Sequence, residues 1–222
     1  MIAIAIDGPA GAGKSSIARG VAKELGYIYV DTGALYRTIG YAAVQAGTQL
    51  DEPASLEALL AQTHIELTFC GGEQRMLLNG TDVSDRIRTP EISMMASRVS
   101  AIPAVRAFLL SLQRNLADTH NVIMDGRDIG TVVLPHAQIK IFMTASIDCR
   151  ARRRYDELVA KGQNVTLDEV RADMEQRDYN DTHRAIAPLK PAPDAEVMDN
   201  SWKTLNESVQ TVTAWIRNRL TA

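Results

Sequence analysis

Two cysteines in 222 residues, Cys70 and Cys149, lie far apart without Cys-x-x-Cys spacing or a neighbouring histidine pair. That excludes a disulfide framework and a structural zinc site, and both read as reduced core thiols. The histidines His64, His120, His136 and His183 show no ligand spacing and read as surface or loop residues. Neither a Gly-x-Ser-x-Gly elbow nor a His-Glu-x-x-His pair is present, which removes the hydrolases built on them. No apolar run approaches the roughly 18 residues of a membrane span. The chain opens on a strand with no basic segment or cleavage site, so a soluble cytoplasmic protein is expected, with no membrane partner. An excess of positive charge is lacking too: 24 Lys and Arg against 27 Asp and Glu give a formal net charge of -3. No global field exists to hold a nucleic acid, although local arginine clusters still suit small anions. There is no internal repeat or low-complexity segment, and the length suits one α/β domain with a good core.

What is present is concentrated at the start. Residues 2–15 read IAIAIDGPAGAGKS, an apolar run that breaks into Gly8-Pro9-Ala10-Gly11-Ala12-Gly13-Lys14-Ser15. This fits the pattern G-x-x-x-x-G-K-[ST] between an expected strand and an expected helix over residues 17–25. Glycines allow the backbone to turn its N–H groups inward, Lys14 adds a mobile positive charge, and the helix N-terminus favours anions. Such a loop binds a nucleoside triphosphate.

Four further runs rich in Ile, Val and Met, over residues 27–31, 121–125, 139–143 and 195–199, alternate with helical stretches. Five buried strands separated by helices predict an α/β fold, a doubly wound five-stranded parallel sheet. Thr204-Leu-Asn-Glu207 and Thr166-Leu-Asp-Glu169 match the capping box and should each start a helix. Two stretches interrupt the alternation. Over residues 64–84, a Gly71-Gly72 turn and an Asn79-Gly80 turn predict a small antiparallel insertion. Residues 146–183 are helical and highly charged, and both excursions are expected to cover the nucleotide loop.

Charged residues cluster at the expected strand ends. Asp31-Thr32-Gly33-Ala-Leu-Tyr36-Arg37 follows the second strand and offers a hydroxyl, a turn and a planar guanidinium suited to phosphate; a plain helix N-cap with an exposed arginine is the competing account. Asp125-Gly-Arg127-Asp128 ends a buried strand and resembles the acidic strand end that supports Mg²⁺. Arg150, Arg153 and Arg154 share one helical face, and Arg177, Asp181 and Arg184 align if the helix beginning near Thr166 continues. Arginines beside a triphosphate loop can neutralise the charge on a phosphoryl group in transit, whereas ion pairs with Asp178 or Glu175 would be structural.

The segments Gly8 to Ser16, Asp31-Thr-Gly-Ala-x-Tyr-Arg37, Ala96-Ser97-x-Val, Pro103-x-Val-Arg106, Asp125-Gly-Arg-Asp-x-Gly-Thr131, and Arg177-Asp178 through Arg184-x-x-x-Pro188-Leu together resemble the bacterial cytidylate kinase family, in order and across nearly the whole chain. The resemblance implies a P-loop kinase with a core over about 1–60, 103–145 and 185–222, a monophosphate-binding β-rich insertion over about 61–102, and a helical lid over about 146–184. It implies ATP as phosphoryl donor, CMP or dCMP as acceptor, Mg²⁺ as the metal, and small nucleotides as the partners of a monomer. Gly8, Pro9, Ala10, Gly11, Ala12, Gly13, Lys14, Ser15 and Ser16 would hold the ATP phosphates. Thr32, Arg37 and Arg127 would hold the acceptor phosphate, beside Gly33, Tyr36 and Asp125. Ser97, Arg106, Asp128 and Arg184 would surround cytosine, and Arg177 and Asp181 the ribose. Lys14, Arg127, Arg150, Arg153 and Arg154 would be catalytic. Ser15 satisfies the general loop pattern and Ser16 the family's alternative; Ser15 is taken as the metal-facing hydroxyl. Two rival readings are a UMP or AMP kinase and a GTP-binding switch, the latter weakened because no Asn-Lys-x-Asp segment is present.

Overall fold

The computed structural model describes residues 1–70 and 73–221. The chain divides into two compact units, Met1–Tyr29 with His120–Ala222, and Val30–Thr119.

In chain order, β1 (Ala3–Asp7) leads into α1 (Lys14–Leu25) and β2 (Ile28–Asp31), on which the chain leaves the first unit. The second unit holds α2 (Thr32–Ala46), α3 (Pro53–Ala61), β3 (Ile65–Cys70), β4 (Glu73–Leu78), β5 (Thr81–Asp82), α4 (Pro90–Val99) and α5 (Pro103–Thr119). The first unit resumes with β6 (Val122–Gly126), β7 (Ile139–Thr144), α6 (Ile147–Ala160), α7 (Leu167–His183), β8 (Glu196–Asp199) and α8 (Leu205–Thr221).

The expected parallel sheet is found, with strand order β2-β6-β1-β7-β8. β1 pairs in parallel with β6 on one side, Ile4 opposite Ile123, and with β7 on the other, Ile4 opposite Ile139. Strands rich in Ile and Val are buried on both faces here: Ile4, Ile6, Ile123 and Ile141 are fully or almost fully buried, and Ile17 and Val21 of α1 pack on them with Val212 and Ile216 of α8. Each such side chain contributes about 1.5–3 kcal/mol of burial. β8 departs from the expectation of a buried strand. It is the last in the order, pairing with β7, and its Val197 is 57% exposed. An apolar run alone does not distinguish a central strand from an edge strand.

The second unit carries the expected antiparallel insertion, a sheet of order β3-β4-β5 with Ile65 opposite Leu78. Asn79 and Gly80 join β4 to β5 with positive φ at both residues, 50° and 78°, the backbone that a two-residue hairpin requires. The Gly71-Gly72 turn lies outside the described residues. This unit has its own core of Leu35, Ile39, Ile65, Met76, Ile87 and Leu109. Both predicted capping boxes form: Thr166 accepts the Glu169 N–H at 3.2 Å while Glu169 accepts the Thr166 N–H at 2.8 Å, and Thr204 and Glu207 repeat the exchange. No single helix among the described residues is long and apolar enough to cross a membrane.

Candidate active site

With β6 and β7 on opposite sides of β1, the strand order reverses at β1, and the glycine loop springs from its carboxyl end, where open α/β sheets place their ligands. Gly8 has φ 146°, and a Cβ there would lie 1.9 Å from the Met143 carbonyl oxygen. Gly13, with φ 91°, caps α1, and a Cβ there would meet Asn200 Nδ2 at 2.7 Å. Neither position can take another residue without moving main chain or a buried amide. α1 begins with no side-chain cap and no acidic residue in its first turn, whereas Asp31, Thr89, Ser146 and Thr166 cap α2, α4, α6 and α7. Its first N–H groups are thus left for an anion.

Lys14 is buried and folds back over its own loop, Nζ donating to the Pro9 carbonyl at 2.9 Å. Burial pushes its pKa down to about 7, with Arg127 acting in the same direction and Asp125 against it. The ammonium is held where a triphosphate would restore its charge. Ser15 Oγ donates to Asp125 Oδ2 at 2.7 Å, and Tyr29 OH donates to Oδ1 at 2.9 Å. Of the two candidate serines, Ser15 is the one that meets the acidic strand end.

The Asp125-Gly-Arg-Asp segment faces α7. Arg127 Nε donates to Asp181 Oδ2 at 2.8 Å, and Arg184 Nη2 lies 3.4 Å from Asp128 Oδ1. Burial pushes the Asp181 carboxyl up, but Arg127, Arg177 and Arg184 outweigh it and hold the group below its ordinary value. Arg177 and Asp181 share α7 as predicted. Arg184 is its capping residue, in extended conformation, so it reaches Asp128 from beyond the helix and not along its face.

The three arginines of α6 have different surroundings. Arg150 is buried and held at two of its nitrogens: Nε donates to the Ala145 carbonyl at 2.9 Å, and Nη1 to Ala10 O at 3.1 Å and Asp178 at 2.7 Å. It ties α6 to the phosphate loop and to α7. Arg153 Nη2 donates to Asn200 O at 2.7 Å, while its buried Nη1 has no hydrogen-bond partner among the described residues and lies 3.9 Å from where a Cβ on Gly13 would stand. Arg154 pairs with Glu157 at 2.8 Å, half exposed, a contact worth about 0.3–0.5 kcal/mol. The charged helical excursion does cover the loop, since a Cβ on Gly11 would strike Met174 at 2.7 Å and Arg150 Cβ at 3.1 Å.

Within the second unit, Asp31 caps α2 by accepting the Ala34 N–H at 3.0 Å and also pairs with Arg37 at 2.7 Å. The N-cap reading and the phosphate-fork reading therefore meet in one cluster. A Cβ on Gly33 would press on Arg37 Nη1 at 3.0 Å and Asp31 at 3.1 Å, so a side chain there would displace the pair slightly. Thr32 is buried at the start of α2. Arg106 is buried, its guanidinium 5.9 Å from the Tyr36 ring centroid and donating to the Ser100 carbonyl at 3.3 Å, while Ser100 Oγ donates to Ser97 O at 2.8 Å.

Three residues with site contacts escaped the sequence reading. Asp7 accepts the N–H groups of Ile129 and Gly130. Its signal was visible, a carboxylate ending a buried strand just as Asp125 does. Tyr29 and Asn200 gave no local sign; Asn200 Nδ2 donates to Ala12 O at 3.0 Å across 188 positions of chain. The cysteines need correction. Cys70 is exposed and Cys149 half-buried, its Sγ against the Ser201 carbonyl, so neither is a core thiol. All four histidines are exposed, as expected.

The family model described as cytidylate kinase matches residues 4–218. The cytidylate kinase of Ligilactobacillus salivarius is 47% identical over 216 residues, covering 97% of this chain and 96% of that protein. Those of Caldicellulosiruptor saccharolyticus and Geobacter sulfurreducens are each 48% identical, covering 95% and 97% of this chain and 93% of either protein. In fold, a crystal structure of an uncharacterized protein from Eubacterium ventriosum is similar at TM-score 0.54 and 12% identity, covering 98% of this chain and 99% of that one.

Proposed function

Because the chain belongs to the cytidylate kinase family, we propose that it transfers the γ-phosphoryl group of ATP to CMP or dCMP, giving ADP and CDP or dCDP, as a cytoplasmic monomer. The observation that carries this reading is the pairing of a phosphate loop with two adjacent Arg–Asp couples, Arg127–Asp181 and Arg184–Asp128, within one unit.

The couples suit a cytosine nucleoside. Cytosine presents an amine donor beside the N3 and O2 acceptors, so Asp128 suits the amine and Arg184 an acceptor, and Arg106 and Ser97 are assigned to the same base. Uracil reverses donor and acceptor at two of those positions and would leave buried groups unpaired at about 1–3 kcal/mol each. Asp181 and Arg177 are assigned to the ribose, and Thr32, Arg37 and Arg127 to the acceptor phosphate. In the free protein Asp31 holds Arg37 and Asp181 holds Arg127, so each guanidinium is kept in place by a carboxylate until phosphate arrives. That preorganisation lowers the cost of ordering the fork on binding.

The chemical step needs positioning and charge neutralisation more than proton transfer, because an acceptor phosphate is already an anionic nucleophile at neutral pH. Its oxygen attacks the γ-phosphorus, the bond to the β-phosphate oxygen breaks, and ADP leaves with that electron pair. Lys14, the N–H groups at the start of α1 and the arginines Arg127, Arg150 and Arg153 form the main catalytic set, and they differ in task; Arg154, paired with Glu157 at the surface, contributes least. Arg150 acts as a strut, whereas Arg153 has a guanidinium nitrogen to spare. Ser15 and Asp125 already meet as a hard oxygen donor pair, which fits Mg²⁺, an ion that takes one or two carboxylates with phosphate oxygens and water. Bound there, it would neutralise charge on the donor phosphates.

The test is ADP release with ATP across CMP, dCMP, UMP and AMP. CMP or dCMP should give kcat/KM higher than UMP by on the order of 10² or more. Equal rates on all four, or preference for AMP, would refute the assignment.

A further inference from the structure

Asp7 ends β1 one residue before the phosphate loop, and it is 4% exposed. Its Oδ1 accepts the Ile129 N–H at 2.8 Å and its Oδ2 the Gly130 N–H at 2.7 Å. Those two groups open a wide helical turn, Ile129–Val133, that follows directly on Arg127 and Asp128. Donors at the start of such a turn have no main-chain acceptor, so a single carboxylate satisfies both. The other side of the turn is closed by Lys140. A Cβ on Gly130 would stand 3.2 Å from Lys140 Cδ and 3.4 Å from Asp7 Oδ2. Lys140 is itself fixed, Nζ donating to Pro135 O at 2.6 Å and to Asp194 at 2.8 Å. The backbone carrying Asp7 is pinned as well, in register with Gly126 of β6 and Phe142 of β7. Burial pushes the Asp7 carboxyl up to about 6, against the pull of its two N–H bonds. An apolar residue would suit the strand but would leave both N–H groups unpaired, so it is this carboxylate that ties the turn to β1.

We infer that Asp7 is a positioning residue for the acceptor: by clamping the two N–H groups after Asp128, it sets the Arg127–Asp128 segment at a fixed place relative to the phosphate loop that begins at Gly8. The inference rests on the assignment of Arg127 and Asp128 to the acceptor nucleotide. An Asn side chain cannot replace it, since its one oxygen satisfies one N–H and its NH₂ faces the other donor to donor.

The experiment compares wild type, Asp7→Asn, Gly130→Ala and Asp128→Asn for CMP KM and kcat, for ATP binding without acceptor, and for thermal midpoint. Asp7→Asn should raise the CMP KM by about 10-fold or more and lower kcat, because an error of an ångström at the reacting groups costs up to ~100-fold. ATP affinity should stay within about 3-fold, since the groups lost are not made to the donor. Gly130→Ala presses the same turn against the Lys140 stem, 3.2 Å from where its Cβ would stand, and leaves Asp7 in place; it is the milder variant should Asp7→Asn fail to fold, and it should give the same CMP-selective loss. Equal weakening of ATP and CMP, or an unchanged CMP KM in a folded Asp7→Asn or Gly130→Ala protein while Asp128→Asn still raises it, overturns the positioning role alone. If Asp128→Asn also leaves the CMP KM unchanged, the acceptor assignment falls and the inference with it.

Discussion

At the scale of single residues, the site is set by charges held where water does not reach them. Lys14 is the clearest case, its pKa falling from 10.5 to about 7 on burial. Between those values the unfolded chain binds a proton that the folded chain has released, so this group makes stability rise with pH from about 7 to 10.5, and its penalty is complete below 7. Lys14→Met should therefore melt higher than the ligand-free wild type near about pH 6, with the gap closing near about pH 10, while turnover drops by on the order of 10²–10³. Thermal scans at both pH values check this; a constant offset, or a lower midpoint at the acid end, contradicts it. Ser15 is a second case. Its bond to Asp125 predicts that Ser15→Ala raises the Mg²⁺ concentration for half-maximal rate by about 10-fold or more, with Ser16→Ala within about 3-fold of wild type. A Mg²⁺ titration of both variants that showed the reverse order would move the metal-facing role to Ser16.

At the scale of elements, α6 sorts its arginines by the turn of the helix on which each falls. Arg150 faces Ala10 and Asp178, Arg153 faces Asn200 and the glycine cradle, and Arg154 lies over Glu157. Arg153→Ala should lower kcat by on the order of 10² with little change in ATP affinity, the signature of a contact made in the transition state, whereas Arg154→Ala should cost less than about 3-fold. Steady-state kinetics on the two variants decide it, and larger loss at Arg154 would show that α6 turns or moves when substrates bind. Spacing alone placed all three on one face, which was as far as the sequence could go: helical periodicity gives a direction, not the partner met there. The same limit explains β8, whose apolar run reads as interior although it ends the sheet. Features fixed by a few adjacent residues were legible, among them the glycine loop, the Asn79-Gly80 hairpin and both capping boxes. Contacts between distant segments, such as Asn200 with Ala12 or Tyr29 with Asp125, were not, because nothing local encodes them.

At the scale of the whole molecule, the proposed reaction has the donor's phosphates held by the loop after β1 and a cytosine nucleotide read by the Arg127, Asp128, Asp181 and Arg184 cluster, with phosphate passing directly between the two substrates. The most direct measurement is a single-turnover quench experiment with ATP labelled in its γ-phosphate and excess CMP. The label should move from ATP to CDP with no labelled protein at any time and with little inorganic phosphate. Label that first accumulates on the protein, or that is released to water at the rate at which ATP is consumed, would contradict it.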